Sequence, residues 1–173
     1  MRVKVENFGC RLNALEGDVA QAAARTAGLD KTIIINGCAV TGEALRQARQ
    51  AARRAKRATP DHEIIVTGCA AQIDEPTFAA MPEVDRVLGN EEKLDPAAYA
   101  AGGPVAVSNI MARTRATPLP VTPQPSRARA FVQVQTGCDH RCTFCIIPFG
   151  RGNARSLPIA EVVAQCRDLV ARG

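Results

Sequence analysis

The sequence predicts an α/β fold built on a parallel sheet. Two short β-branched runs, Ile33-Ile34-Ile35 and Ile64-Ile65-Val66, have the continuous apolar character of strands buried on both faces. Segments of helical periodicity alternate with them, and repeated β-α units place helices on both faces of such a sheet. With 46% hydrophobic and 23% charged residues, the composition is that of an ordinary globular protein, not of a disordered or fibrous one.

In chain order, residues 3–8 read as a strand. Residues 12–27 read as a helix, with Leu15, Val19 and Ala22 at helical spacing and Gly28 as its stop. A strand over 32–36, a helix over 43–58 and a strand over 63–67 follow. A shorter helix is expected after Pro76, and 84–88 reads as a fourth strand. This is the element order of a flavodoxin-like domain over 1–108. Residues 109–129 contain Pro118, Pro120, Pro123 and Pro125, four arginines and no acid, and read as an extended linker. A surface excursion within one domain is the alternative. Beyond it, 130–135 reads as a new strand. Ile159–Ala171 reads as a helix with Ile159, Val162, Val163, Cys166, Leu169 and Val170 on one face. On that stripe Cys166 is expected to be core packing. One strand, loop and helix cannot bury a core of their own, so 130–173 is expected to open a domain that continues beyond Gly173.

The bulk properties narrow the function classes. Seven cysteines, an odd number, come with no apolar export signal at the N-terminus, which disfavours a disulfide framework. Metal-bound thiolates in a reducing, cytoplasmic setting fit better. No apolar run approaches the roughly 20 residues of a membrane helix. The formal charge of +5 favours an anionic partner such as nucleic acid.

Cys10, Cys38 and Cys69 share a local context. Each follows a predicted strand and a glycine: Gly9-Cys10, Gly37-Cys38 and Gly68-Cys69. Each precedes a helix-start signal, Asn13 with Glu16 for Cys10, Thr41 for Cys38, and Asp74 with Pro76 for Cys69. Strand C-termini of a parallel sheet share one edge, so the three thiols should meet there. Glycine lets the chain turn beside a bulky group, and helix N-termini favour thiolate over thiol. Three thiolates leave one corner of a tetrahedral or cubane site open, unlike a closed structural site. Small buried hydrophobes and a three-cysteine zinc site remain alternatives.

Cys138, Cys142 and Cys145 form a C-x3-C-x2-C triad on one loop after the 130–135 strand. Three close thiolates with no fourth cysteine nearby suit a four-iron cluster with one free iron. The spacing resembles the loop of the radical-SAM superfamily. There the free iron chelates S-adenosylmethionine, and an electron cleaves the sulfonium to give a 5′-deoxyadenosyl radical. The aromatic residue before the last cysteine, here Phe144, packs near the adenine in that superfamily. A zinc knuckle using His140 is the alternative.

The two sets together resemble the methylthiotransferase family. The resemblance rests on Gly9-Cys10-Arg-Leu-Asn13, Asn36-Gly-Cys38-Ala-Val-Thr41, Gly68-Cys69-Ala-Ala-Gln72, Val87-Leu-Gly-Asn90 and the run from Gly137 to Gly152. It implies an auxiliary 4Fe-4S cluster on Cys10, Cys38 and Cys69 that handles sulfur. It likewise implies a second 4Fe-4S cluster on Cys138, Cys142 and Cys145 that cleaves S-adenosylmethionine. Within the family the Cys-Arg-Leu-Asn and Cys-Ala-Val-Thr segments look most like the branch that methylthiolates C2 of N6-threonylcarbamoyladenosine at position 37 of tRNA. Other branches act on isopentenyladenosine in tRNA or on a ribosomal-protein aspartate. Implied partners are tRNA and an electron donor protein; the sulfur donor is not implied. Gly37 departs from the family, which usually has Thr there. Most of the barrel and the small RNA-binding domain of the family are not in these residues. The chain alone is therefore expected to bind clusters without turning over.

Between Glu43 and Asp61 there is no acid. Arg46, Arg49, Arg53, Arg54, Lys56 and Arg57 fall on one side of the expected helix, opposite a stripe of alanines. That face suits tRNA phosphates or is a solvated outer surface. His62 is expected at the surface. Arg151 and Arg155 follow the cluster loop, where a substrate contact and a surface role are both open. Two rival readings stand: a non-catalytic zinc module that binds nucleic acid, and a scaffold that keeps only the first cluster.

Overall fold

The computed structural model describes residues 3–120 and 129–172. Its first part is a sheet of five parallel strands: β1 (Val3–Asn7), β2 (Thr32–Gly37), β3 (Glu63–Gly68), β4 (Arg86–Leu88) and β5 (Val105–Ala106). The helices between them are α1 (Arg11–Thr26), α2 (Gly42–Ala58), α3 (Cys69–Ile73), α4 (Glu75–Ala79) and α5 (Pro96–Ala100). The expected parallel α/β domain is present, consistent with a flavodoxin-like domain, with its strands in chain order across the sheet. The fifth strand was not legible, because two residues carry no periodicity.

The two faces have separate cores. Ile33, Ile35, Ile64, Val66 and Val87 pack under α2, whose contact stripe is Ala48, Ala51, Ala52 and Ala55, and under Phe78 of α4. Val3, Ile34, Ile65 and Leu88 pack under Ala23 and Ala24 of α1 and under Tyr99 of α5. Alternate residues of β2 and β3 thus serve opposite faces, which is why both strands read as unbroken apolar runs. The small alanine stripe draws α2 close to the sheet. Thr41 caps α2, its Oγ1 accepting from Ala44 N at 3.1 Å. Replacing Thr41 with Ala should cost about 1 kcal/mol, read as a lower urea midpoint; an unchanged midpoint would show that the cap contributes nothing.

Three expectations need correction. Residues 130–135 do not form a strand of their own. Only β6 (Gln135–Thr136) pairs, antiparallel with β7 (Arg155–Ser156), around α6 (Ile147–Arg151). Of the remaining backbone of that segment, Val134 O accepts from Leu157 N at 3.0 Å, beside the β6–β7 pair. Helix α7 (Ile159–Ala171) has the expected bounds but buries no residue, and Cys166 is exposed instead of packed in a core. Its apolar stripe meets no second layer among the described residues. Helix α3 begins at Cys69 itself, ahead of the Asp74-Pro76 signal, which instead marks the start of α4, with Asp74 at the N-cap position but without a side-chain cap bond and Pro76 in the first turn.

Of the segment read as a linker, Ile110 and Leu119 are buried, and Leu119 packs with Leu15 and Val19 of α1. Its central portion, with Pro123 and Pro125, lies outside the described residues. No helix among the described residues is long and apolar enough to cross a membrane.

Candidate functional site

Successive strands deliver Cys10, Cys38 and Cys69 to one edge of the sheet. Asn7 pairs with Asn36, Asn36 with Thr67, and Gly37 with Gly68, so the three chain exits lie side by side. The chain leaving β1 turns to α1 on one face, whereas the chains leaving β2 and β3 turn to α2 and α3 on the other. Diverging exits mark the point at which open α/β sheets hold ligands, in the crevice outside the carboxyl ends of the strands. Cys10 is exposed, Cys38 half-buried and Cys69 buried.

The three glycines serve this edge in two ways. Gly9, with φ +130°, folds the β1–α1 turn onto Cys38: a Cβ on Gly9 would stand 3.1 Å from the Cys38 Sγ. Gly68, with φ +88° and ψ −168°, occupies a region open almost only to glycine. Gly37 has ordinary strand geometry, and what it needs is space: a Cβ there would meet the Cβ of Ala70 at 2.6 Å. Backbone and amide donors point at two of the sulfurs. Val40 N lies 3.5 Å from Cys38 Sγ, and Asn90 Nδ2 lies 3.6 Å from Cys69 Sγ.

Among the described residues, no group of three or more His, Cys, Asp or Glu side chains is placed to hold a single metal ion. A four-iron cluster makes a different demand, since each thiolate meets its own iron and the sulfurs stand around the cluster. The donor set suits that group: three thiols, no competing carboxylate among them, and a cationic wall.

That wall was missed at the level of sequence. Asn13 is not a helix cap; Cys10 occupies the cap position without a side-chain bond. The Asn13 Nδ2 instead donates to Phe8 O at 2.7 Å and Asn36 O at 3.0 Å, tying β1 to β2 below the crevice. Glu16 is not a capping partner either. It is buried and accepts from Lys93 Nζ at 2.7 Å and from both Nη atoms of Arg151 at 2.6 and 2.9 Å. Lys93, fully buried, also donates to Asn90 Oδ1 at 2.8 Å and Asn36 Oδ1 at 3.3 Å. Burial alone raises the Glu16 pKa, but Lys93 and Arg151 outweigh it and hold the carboxyl at about 2. For Arg151, burial opposes the charge, and Glu16, through its charge and its hydrogen bonds, more than restores it. The surface role left open for Arg151 and Arg155 is excluded, since both are 5% exposed. Arg155 pairs with Glu91 at 2.9 Å and donates to Arg151 O at 2.6 Å.

Through these contacts the second cysteine segment docks on the first domain. The Gly150 carbonyl of α6 accepts from Asn90 Nδ2, and a Cβ on Gly150 would stand 3.4 Å from the Cys69 Cβ. The loop bearing Cys138, Cys142 and Cys145 is pinned to the segment that follows α6. Cys138 N donates to Gly152 O at 3.1 Å, Asp139 Oδ1 accepts from Ala154 N at 2.8 Å, and Arg141 spans from Cys138 O to Asn153 Oδ1. Cys145 N closes a turn onto Cys142 O at 3.0 Å. Cys142 is exposed, and the Phe144 ring, 90% exposed, stands out into solvent.

The basic face of α2 is largely paired within the protein. Arg46 meets Glu43, Arg49 meets Asp74, Arg53 meets Glu83, Arg54 meets Glu6 and Lys56 meets Asp85, at 2.7 to 4.0 Å. His62 is half-buried beside Asp61, which differs from the expected surface position. A groove of about 830 Å³ lies between α1 and α2 beside β1, lined by Lys4, Arg25, Arg54 and His62 and by no cysteine.

A sequence profile of the uncharacterized protein family UPF0004 matches residues 2–89, just over half of the 173 residues. The chain belongs to that family. In this UPF0004 chain the matched residues are the sheet through β4, with Cys10, Cys38 and Cys69. The chain is 47% identical over its whole length to the threonylcarbamoyladenosine tRNA methylthiotransferase MtaB of Rickettsia prowazekii, covering 41% of that protein. It is 35% identical to the MtaB of Bacillus subtilis, over 99% of this chain and 41% of the relative. To the tRNA-2-methylthio-N(6)-dimethylallyladenosine synthase of Paracoccus denitrificans it is 31% identical, over 98% of this chain and 41% of the relative. The UPF0004 chain thus spans about two fifths of the length of these curated relatives.

Proposed function

We propose that this chain is the N-terminal portion of a radical-SAM methylthiotransferase that methylthiolates C2 of N6-threonylcarbamoyladenosine at position 37 of tRNA. The observation that carries the reading is the gathering of three Gly-Cys turns at adjacent strand ends beside a buried cation. The 47% identity to the Rickettsia MtaB, against 31% to the Paracoccus dimethylallyladenosine enzyme, supports the substrate branch. In this reading 1–108 is the auxiliary-cluster domain, 109–129 the connection and 130–173 the opening of the radical-SAM domain. The setting is the cytoplasm, and the partners are tRNA and an electron donor protein.

The residues divide the work. Cys10, Cys38 and Cys69 hold an auxiliary 4Fe-4S cluster in the crevice, and Cys138, Cys142 and Cys145 hold a second on the pinned loop. The second cluster, when bound, supplies the electron that cleaves S-adenosylmethionine. Phe144 offers an exposed ring to the adenine of that cofactor. Arg141 and Asp139 fix the loop so that its thiols keep a constant spacing. Arg46, Arg49, Arg53, Arg54 and Arg57 present an exposed face to tRNA phosphates. Their pairs with acids are surface pairs, individually worth about 0–1 kcal/mol, and a polyanion exchanges for them readily.

Anaerobic reconstitution tests the metal assignment. The chain should bind about eight irons and about eight sulfides, the content of two four-iron clusters. The triple variants Cys10→Ala/Cys38→Ala/Cys69→Ala and Cys138→Ala/Cys142→Ala/Cys145→Ala should each keep about half. A colourless protein that takes up zinc and no iron would sink the assignment. For the substrate, nucleoside mass spectrometry of tRNA treated with the whole protein should place the methylthio group on threonylcarbamoyladenosine; its appearance on isopentenyladenosine would move the protein to the other branch.

A further inference from the structure

The crevice carries a charge imbalance. Two buried cations, Lys93 and Arg151, share one buried carboxylate, Glu16. Of the neighbouring carboxylates, Glu91 is engaged by Arg155 at 2.9 Å, and Glu92 turns one oxygen to Arg113 at 3.6 Å and buries the other beside Gly89, with no bond to Lys93 or Arg151. A buried cation without a counter-charge is strongly destabilising, so a site with one spare positive charge is built to receive negative charge. The spare charge is not spread over the protein surface. Arg151 is the last residue of α6, and the residue before it, Gly150, packs against the Cys69 side chain. Asn90 bonds at once to Lys93, to the Gly150 carbonyl and to the Cys69 sulfur. The fork of Arg151 is locked by two bonds to Glu16, a geometry that a lysine cannot reproduce.

Resting on the cluster assignment proposed above, we infer that Arg151 is the counter-charge of the auxiliary cluster, supplied to the first cysteine trio by the segment that bears the second. It is a positioning residue: Glu16 sets where its charge stands, and that charge favours the reduced, more negative state of the cluster. The arrangement ties the two trios together electrically as well as mechanically, because detaching α6 removes the cation from the crevice.

The test is a redox titration of the chain in which Cys138, Cys142 and Cys145 are replaced by Ala, so that one cluster gives the signal. Circular dichroism and iron content establish that each variant is folded and loaded. Arg151→Gln removes a positive charge and should move the midpoint negative by about 59 mV, a tenfold change in the reduced-to-oxidised ratio for one electron. Glu16→Gln adds net positive charge and should move it in the opposite direction. Arg151→Lys, which keeps the charge, should stay closer to the parent than Arg151→Gln. Loss of packing alone gives no reason for opposite signs. Equal midpoints, or Arg151→Gln and Glu16→Gln moving together, would overturn the inference while leaving the cluster assignment standing. If Arg151→Gln does not load, Glu16→Gln against Arg151→Lys decides, and a Glu16→Gln midpoint at or below the parent overturns it. A parent chain that binds no iron at Cys10, Cys38 and Cys69 overturns both readings.

Discussion

Gly68→Ala is expected to lower the stability of the chain by about 2–6 kcal/mol, combining ~1–3 of backbone strain and ~1–3 of overpacking. The backbone at Gly68 sits at φ +88° and ψ −168°, which a Cβ penalises. That Cβ would also overlap the Gly37 carbonyl oxygen of the paired strand and stand 2.7 Å from Asn36 Oδ1. Both neighbours are held, Gly37 by the β2–β3 ladder and Asn36 by its bonds to Asn7 and Asn13. Gly28→Ala is the control. Gly28 also has positive φ, at +80°, but nothing lies within 4 Å of its Cβ position, so the strain stands alone at about 1–2 kcal/mol. Urea unfolding of the two variants separates the contributions, and equal losses would show that the edge yields without cost. Gly68→Ala should also lower the iron bound on reconstitution, since Cys69 is the next residue in the chain.

The second large effect is acid sensitivity centred on Glu16. Its carboxyl titrates at about 2 in the folded chain against 4.5 for an unperturbed group. The folded pKa is the lower one, so the stabilisation is fully present above about pH 4.5 and is lost as pH falls toward 2. The difference corresponds to about 3 kcal/mol at neutral pH. Urea unfolding between pH 7 and pH 2 should show a gap between the parent and Glu16→Gln that is constant above about pH 5 and closes in acid. A gap that persists at pH 2 would assign the loss to packing and not to charge. Asp61 is also held at about 2, chiefly by its hydrogen bond from Lys31, but that pair is exposed. Repeating the series in about 1 M salt screens it and leaves the buried group.

Much of the fold was legible because its signals are local. Ile33 to Ile35 and Ile64 to Val66 announce central strands whatever surrounds them, and Thr41 caps α2 as its chemistry predicts. The repeated Gly-Cys step after each strand needed only the rule that parallel strands end together. What escaped reading depends on partners distant in the chain. Asn13 and Glu16 fit a capping box by spacing, yet the groups that engage them are Asn36, Lys93 and Arg151. The one local sign was an acid, Glu16, between Leu12, Leu15 and Val19 on the buried stripe of α1. The stripe of α7 was read correctly as a pattern and wrongly as a core, since periodicity says which face seeks a partner and not whether one is present.

The contact of Arg151 with Glu16 closes a loop of 135 residues, and that of Gly150 with Asn90 a loop of 60. The other residues described at this edge, from Cys10 to Lys93, have been synthesised by the time Lys93 leaves the ribosome. At ~5–20 residues per second, and with N-terminal domains folding first, the lid over Cys69 follows roughly 3–12 s later. The newborn protein therefore passes through an interval in which the three Gly-Cys turns are complete and the segment that packs on Cys69 is not yet made.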